Sequence, residues 1–222
     1  MIHTSWHKVR TLLSLSLAGM FLIGLMAQAT LPAAAQPLAA NHTSRSAYHD
    51  EWRKLWEDHI TWTRVVILGI LDGLPGTNVY VGRLLQNPAD MAAALQPYYG
   101  DEATTFGNLV TEHLTIAAEM LTDARNGDTA GFNDSKARWY ANAHDIAVQM
   151  NKMNPRNWPL DMTEQMWVGH LDVTLQEALD NASGDYAAEV AAYDEVHDMA
   201  LVMADFISNG VIRQFPNRFQ AK

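Results

Sequence analysis

Four histidines stand at matched intervals in two stretches of this chain. His113-Leu114 is followed fourteen residues later by Gly127-Asp128, and His170-Leu171 fourteen residues later by Gly184-Asp185. After each Gly-Asp comes the same Tyr-x-x-x-His-Asp-apolar-Ala-x-x-Met pattern, with Tyr140, His144, Asp145 and Met150 in the first copy and Tyr193, His197, Asp198 and Met203 in the second. Imidazoles accept and donate protons near neutral pH and ligate transition metals. Carboxylates beside them, such as Asp145 and Asp194, could orient the rings or ligate directly. Without cysteine, such a set would suit zinc, iron, copper, manganese or nickel. It could also bind a small ligand. The plainer alternative is a layer of neutral, hydrogen-bonded histidines that sets helix register, since a buried imidazole needs a partner in any case.

A site of this kind needs elements that carry the histidines to one level. At ~1.5 Å rise per residue, the two histidines of each copy lie within ~3 Å of the same height, ~20 Å from the intervening turn, if both flanking segments are helices. Apolar residues at three- and four-residue steps support that reading. Leu109, His113, Ile116 and Met120 form one stripe; Trp139, Ala143, Ile146 and Met150 a second; Trp167, Leu171, Leu175 and Ala178 a third; Val190, Tyr193, His197, Ala200 and Ala204 a fourth. The stripes put His59, His113 and His197 inward and His144 and His170 at the seams. No alternating run of strand length occurs. The expected fold is all-α: an antiparallel helical bundle of four long helices from a duplicated hairpin (101–153 and 161–211), within a domain spanning 48–219. An N-terminal helix from Tyr48 to Asp72 joins it, carrying Trp52, Trp56, His59 and Trp62. Short helices follow at 77–85 and, capped by Asn87, at 87–95, before Pro97 breaks the chain. Asp128 or Thr129 should cap the second long helix and Asp161 the third.

Arg64, among apolar neighbours, would either lie along the surface or form a buried ion pair with Glu119, Glu177 or Asp194. The tryptophans around His59 could line a pocket. The methionines fall mostly on core stripes and serve packing.

Composition narrows the function. The 222-residue chain is 48% hydrophobic, has no cysteine and carries a net charge of -10. That balance argues against nucleic acid and anionic membrane surfaces. Lys8 and Arg10 precede an apolar run from Leu12 to Met26, with small-residue cleavage sites ending at Ala29 or Ala35. Residues 1–35 thus read as a signal peptide and 36–47 as a polar linker, leaving no stable membrane span after cleavage and an exported protein, periplasmic or extracellular. Cleavage would take the net charge from -10 to -12. Enzyme signatures are missing. There is no phosphate-binding glycine loop, no Gly-x-Ser-x-Gly and no His-Glu-x-x-His. Three residues before His144 and His197 stand Ala141 and Asp194, so a di-metal Glu-x-x-His pair is lacking as well.

The segments Trp56-Glu-Asp-His59-Ile-Thr-Trp-Thr-Arg64, Trp139-Tyr-Ala-Asn-Ala143, His170-Leu-Asp-Val-Thr174, Met203-Ala-Asp205 and Gln214-Phe-Pro-Asn-Arg-Phe219 resemble a group of small bacterial proteins, many of them exported. The resemblance spans roughly residues 55–219. It implies a smaller constellation, with His59, His113 and His170 as the regular members and acidic residues able to stand at His144 and His197.

Overall fold

The computed structural model describes residues 43–220; the expected signal peptide and most of the expected linker lie outside them. Seven helices account for nearly all of this span: α1 (Arg45–Asp72), α2 (Thr77–Leu84), α3 (Asn87–Tyr99), α4 (Asp101–Asn126), α5 (Thr129–Met153), α6 (Leu160–Ser183) and α7 (Tyr186–Gln214). Among the described residues no helix is long and apolar enough to cross a membrane.

Local chemistry sets the boundaries. Ser44 caps α1 by accepting from the Ala47 N–H, so helix begins inside the expected linker. Asp128 and Asp185 cap α5 and α7, accepting from the N–H groups of Gly131 and Ala188. Three long helices stop at glycines in the left-handed region: α1 at Gly73 (φ 71°), α4 at Gly127 (φ 70°) and α6 at Gly184 (φ 80°). Two expected caps are corrected. Pro159, extended and lacking an N–H, precedes α6, and Asp161 lies in the first turn, where its charge complements the helix dipole. Asn87 is already helical, and its side chain turns inward. Pro97 does not break α3, which continues to Tyr99 and ends at Gly100.

The five long helices form a ring in which α1 packs on α4, α4 on α5, α5 on α6, α6 on α7, and α7 back on α1. The ends of α1, α4 and α6 meet around one crevice with the start of α7. These three helices therefore run parallel, with α5 and α7 antiparallel between them. Helix α3 packs on α4 closely enough that a β-carbon on Gly107 would sit 2.8 Å from that of Ala92. Trp52, Trp56, Trp139, Trp158 and Trp167 are fully buried in the core. One feature has no sequence signal: Thr43–Ser44 pair in parallel with Phe219–Gln220, a contact too short to show strand periodicity. Phe219 seals it, packing on Tyr48 and Tyr98 at ring-centroid distances of 5.2 and 5.6 Å.

Candidate functional site

The three parallel helices bring three histidines together. His59 on α1, His113 on α4 and His170 on α6 are 1–2% exposed. The ring centroids of His59 and His170 are 5.8 Å apart, and those of His113 and His170 are 6.4 Å apart. Their common height follows from a spacing that recurs three times. Each histidine stands fourteen residues before the left-handed glycine that ends its helix: Gly73, Gly127 and Gly184. Because those helix ends share one end of the bundle, the rings share one level, ~21 Å away.

Two of the imidazoles are locked by the same device. Nδ1 of His59 bonds Oδ1 of Asn87 at 2.9 Å, and Nδ1 of His113 bonds Oδ1 of Asn142 at 3.2 Å. Each amide is itself oriented by donating Nδ2–H to a carbonyl one turn before the histidine, Leu55 at 2.8 Å and Leu109 at 3.1 Å. With the amide oxygen facing the ring, Nδ1 must carry the proton, and Nε2 keeps its lone pair. His170 has no such partner: its Nδ1 is buried and makes no hydrogen bond. Tryptophans enclose the rings. Trp56 lies 5.2 Å from His59 and 5.5 Å from His170, and Trp139 lies 5.2 Å from His113.

Burial makes these groups weak bases. Desolvation drives His59 down to about 4, although the Asn87 bond opposes it. His113 falls to about 3, from desolvation and then the neighbouring His59. His170 drops well below the ordinary imidazole range for the same reasons, with His113 adding to them. All three are neutral at pH 7.

Beside the layer, toward the glycine end, lies a small cavity. His59, His113, His170 and Trp139 line it, with Thr63, Ile67, Leu114, Ala117, Met120, Leu121, Thr174 and Ala178. It offers about 20 Å³ to the centre of a water-sized sphere.

The other expected members lie elsewhere. His144 is on the surface beside Glu164 at 3.1 Å, with half its side chain exposed. His197 is partly exposed near Glu57 at 3.6 Å. Asp145 and Asp194 face solvent. The four-histidine layer is thus corrected to three, with His59 in and His144 and His197 out. The inward directions expected of His59 and His113 hold, whereas His170, expected at a seam, is buried and His197, expected inward, is partly exposed. The buried stripe of α7 runs through Ala192, Val196, Ala200 and Ala204, which leaves His197 about 100° away. In α6, Trp167, His170 and Thr174 all belong to the buried face. A second repeat would have revealed this: Trp56-x-x-His59-x-x-x-Thr63 in α1 and Trp167-x-x-His170-x-x-x-Thr174 in α6. The pocket expected from Trp52, Trp56 and Trp62 does not form as such. Only Trp56 touches the histidines, while Trp62 lies beneath Arg83. Among the described residues, no three histidine, aspartate or glutamate side chains close on a point as metal ligands.

Two further polar clusters bound the chemistry. Arg64 reaches both Glu177 (3.5 Å) and Glu189 (2.6 Å) and stacks on Tyr193. Both carboxylates are nearly inaccessible. The Glu189 contact is close but poorly aligned, since its Oε1 makes no directed hydrogen bond. Of the three partners expected for Arg64, Glu177 is right; Glu119 pairs with Arg138 instead. With one guanidinium for two carboxylates, burial pushes Glu177 up to about 8. Separately, Ser208, His49 and Asp205 come together, but both Ser208 and Asp205 approach Nδ1 of His49, at 2.6 and 3.9 Å. A Ser-His-Asp relay needs them on opposite ring nitrogens, and Ser208 is fully buried, so this is no nucleophile.

No family model, no curated protein and no solved structure matches the chain.

Proposed function

We propose that this protein binds one transition-metal ion through Nε2 of His59, His113 and His170. The observation that carries the reading is the paired Asn-His lock. An Nδ1–H bond to an amide that is itself fixed by a backbone carbonyl is what holds a ligating imidazole in its tautomer and orientation. Here it occurs twice, on rings that already share a level. With ~2.1 Å metal–nitrogen bonds, imidazoles on one ion stand with centroids roughly 5–5.6 Å apart. His59 and His113 stand 5.8 and 6.4 Å from His170, so the rings must draw together to close on an ion. A neutral, all-nitrogen set favours zinc or copper and disfavours magnesium and calcium. Three protein ligands leave a fourth position for water or another small molecule.

Titration of tag-free, metal-stripped protein with Zn²⁺, and with Co²⁺ as a visible reporter, tests this. One equivalent per chain is expected. His59→Gln, His113→Gln and His170→Gln should abolish binding, and Asn142→Leu should weaken it ~10–100-fold. The double variant His144→Asn/His197→Asn should bind like the parent. Uptake below ~0.2 equivalents, or uptake lost only in that surface double variant, overturns the reading and leaves a histidine layer that sets helix register.

A further inference from the structure

We infer that the cavity beside the histidines is a binding site for a small uncharged molecule of the size and polarity of dioxygen. This deepens the metal reading by naming what reaches the open coordination position, yet the cavity can be tested without any metal.

The walls of this cavity are finished mostly in apolar groups. Ile67, Leu114, Ala117, Met120, Leu121 and Ala178 supply only hydrocarbon and thioether surface. The two threonines look like exceptions but are not. Thr63 donates its hydroxyl to the His59 carbonyl at 2.7 Å, and Thr174 donates to the His170 carbonyl at 2.8 Å. Each hydroxyl is turned back on its own helix, which leaves the methyl for the cavity. The Nδ1 atoms of His59 and His113 are engaged by Asn87 and Asn142. What remains is a mostly apolar chamber over a layer of imidazole edges, with Nδ1 of His170 and Nε1 of Trp139 as the lining nitrogens that have no partner.

Such a chamber discriminates by chemistry. A water molecule needs two to four polar partners to be held in a cavity, and apolar cavities otherwise stay dry and take up xenon or benzene. An anion would find no cation among the lining residues, and the locked rings of His59 and His113 present lone pairs to it; the unpartnered nitrogens there are Nδ1 of His170 and Nε1 of Trp139. The available space, about 20 Å³, exceeds the ~10–15 Å³ that one water requires and falls far short of a drug-sized pocket. A diatomic molecule fits this combination of small volume and apolar lining.

The test uses crystals of the metal-free protein under krypton pressure, located by anomalous scattering. One krypton site between Leu114, Ala117 and Trp139 is expected, and Ala117→Leu should remove it. Because that variant could misfold, Ala178→Val, which adds less bulk, should lower krypton occupancy at least twofold. A cavity holding ordered water on the imidazoles, with no krypton, overturns the inference; so does krypton bound equally well in both variants. Krypton uptake without zinc binding sustains the chamber and removes the metal, whereas zinc binding without krypton uptake does the reverse.

Discussion

At pH 7 the three buried imidazoles carry no charge, and the metal-free protein must keep them so as pH falls. Below pH ~6.5 the unfolded chain takes up three protons that the folded chain refuses, His59 until about 4, His113 until about 3 and His170 until well below the ordinary imidazole range. The unfolded state therefore binds more protons through this window, and stability drops as pH drops, by up to ~4 kcal/mol per unit. Glu177 acts with the opposite sign. Its folded carboxyl holds a proton up to about 8, whereas unfolded it releases one near its ordinary 4.5. Between those values it costs on the order of 1 kcal/mol per unit as pH rises. Three groups outweigh one below pH ~7, so thermal stability should peak at pH ~7 and fall steeply on the acid side. Melting curves from pH 4.5 to 8.5 check this. His170→Leu should flatten the acid limb by about a third, and a limb unchanged in that variant would mean the histidines are not what titrates. At this scale the sequence was only half informative. That His59 and His113 lie in apolar stripes was legible from spacing. The partners Asn87 and Asn142 were not, because each reaches across to another helix from 28 or 29 residues away, and Asn87 beside Pro88 has a ready local explanation as a cap.

At the level of elements, the site depends on a distance measured along each helix. Every histidine is placed relative to its own helix end, and the three ends are aligned in space. Removing one residue between His113 and Gly127 would move the ring by ~1.5 Å and rotate it by ~100° relative to that end. Deletion of the exposed Thr122 should therefore cost several kcal/mol in denaturant unfolding and eliminate Zn²⁺ binding. Inserting one glycine after Gly127, in the turn itself, should cost less than ~1 kcal/mol. Equal losses from both would show that turn length matters as much as helix length. Here the sequence carries the height of His59, His113 and His170 but the azimuth of only His59 and His113. Integer spacings give height directly. Direction depends on where the buried stripe is centred, and in α7 small residues such as Ala192 and Ala200 define that centre, whereas Val190, half exposed, does not. Hydrophobicity alone ranks these in the wrong order, because an alanine under a neighbouring helix is buried by proximity.

For the whole molecule, closure of the ring matters more than any hairpin within it. Helix α1 finds its largest partner in α7, at the other end of the chain, and the terminal pairing of Thr43–Ser44 with Phe219–Gln220 fastens the same join. Phe219→Ala should cost about 3 kcal/mol and loosen α1 first, seen as faster hydrogen exchange in residues 45–60 than in α4 or α5. Exchange that rises uniformly would count against a local join. The long-range closure also bears on how the protein is made. On the ribosome α1 emerges first, with the buried faces of Trp52, Trp56 and His59 uncovered, and some 130 residues must follow before α7 begins to cover them. The histidine layer, drawn from α1, α4 and α6, cannot assemble until α6 has emerged. Helix α1 stays uncovered until α7 is released, so through most of translation the chain carries an open apolar surface that a holding chaperone would recognise.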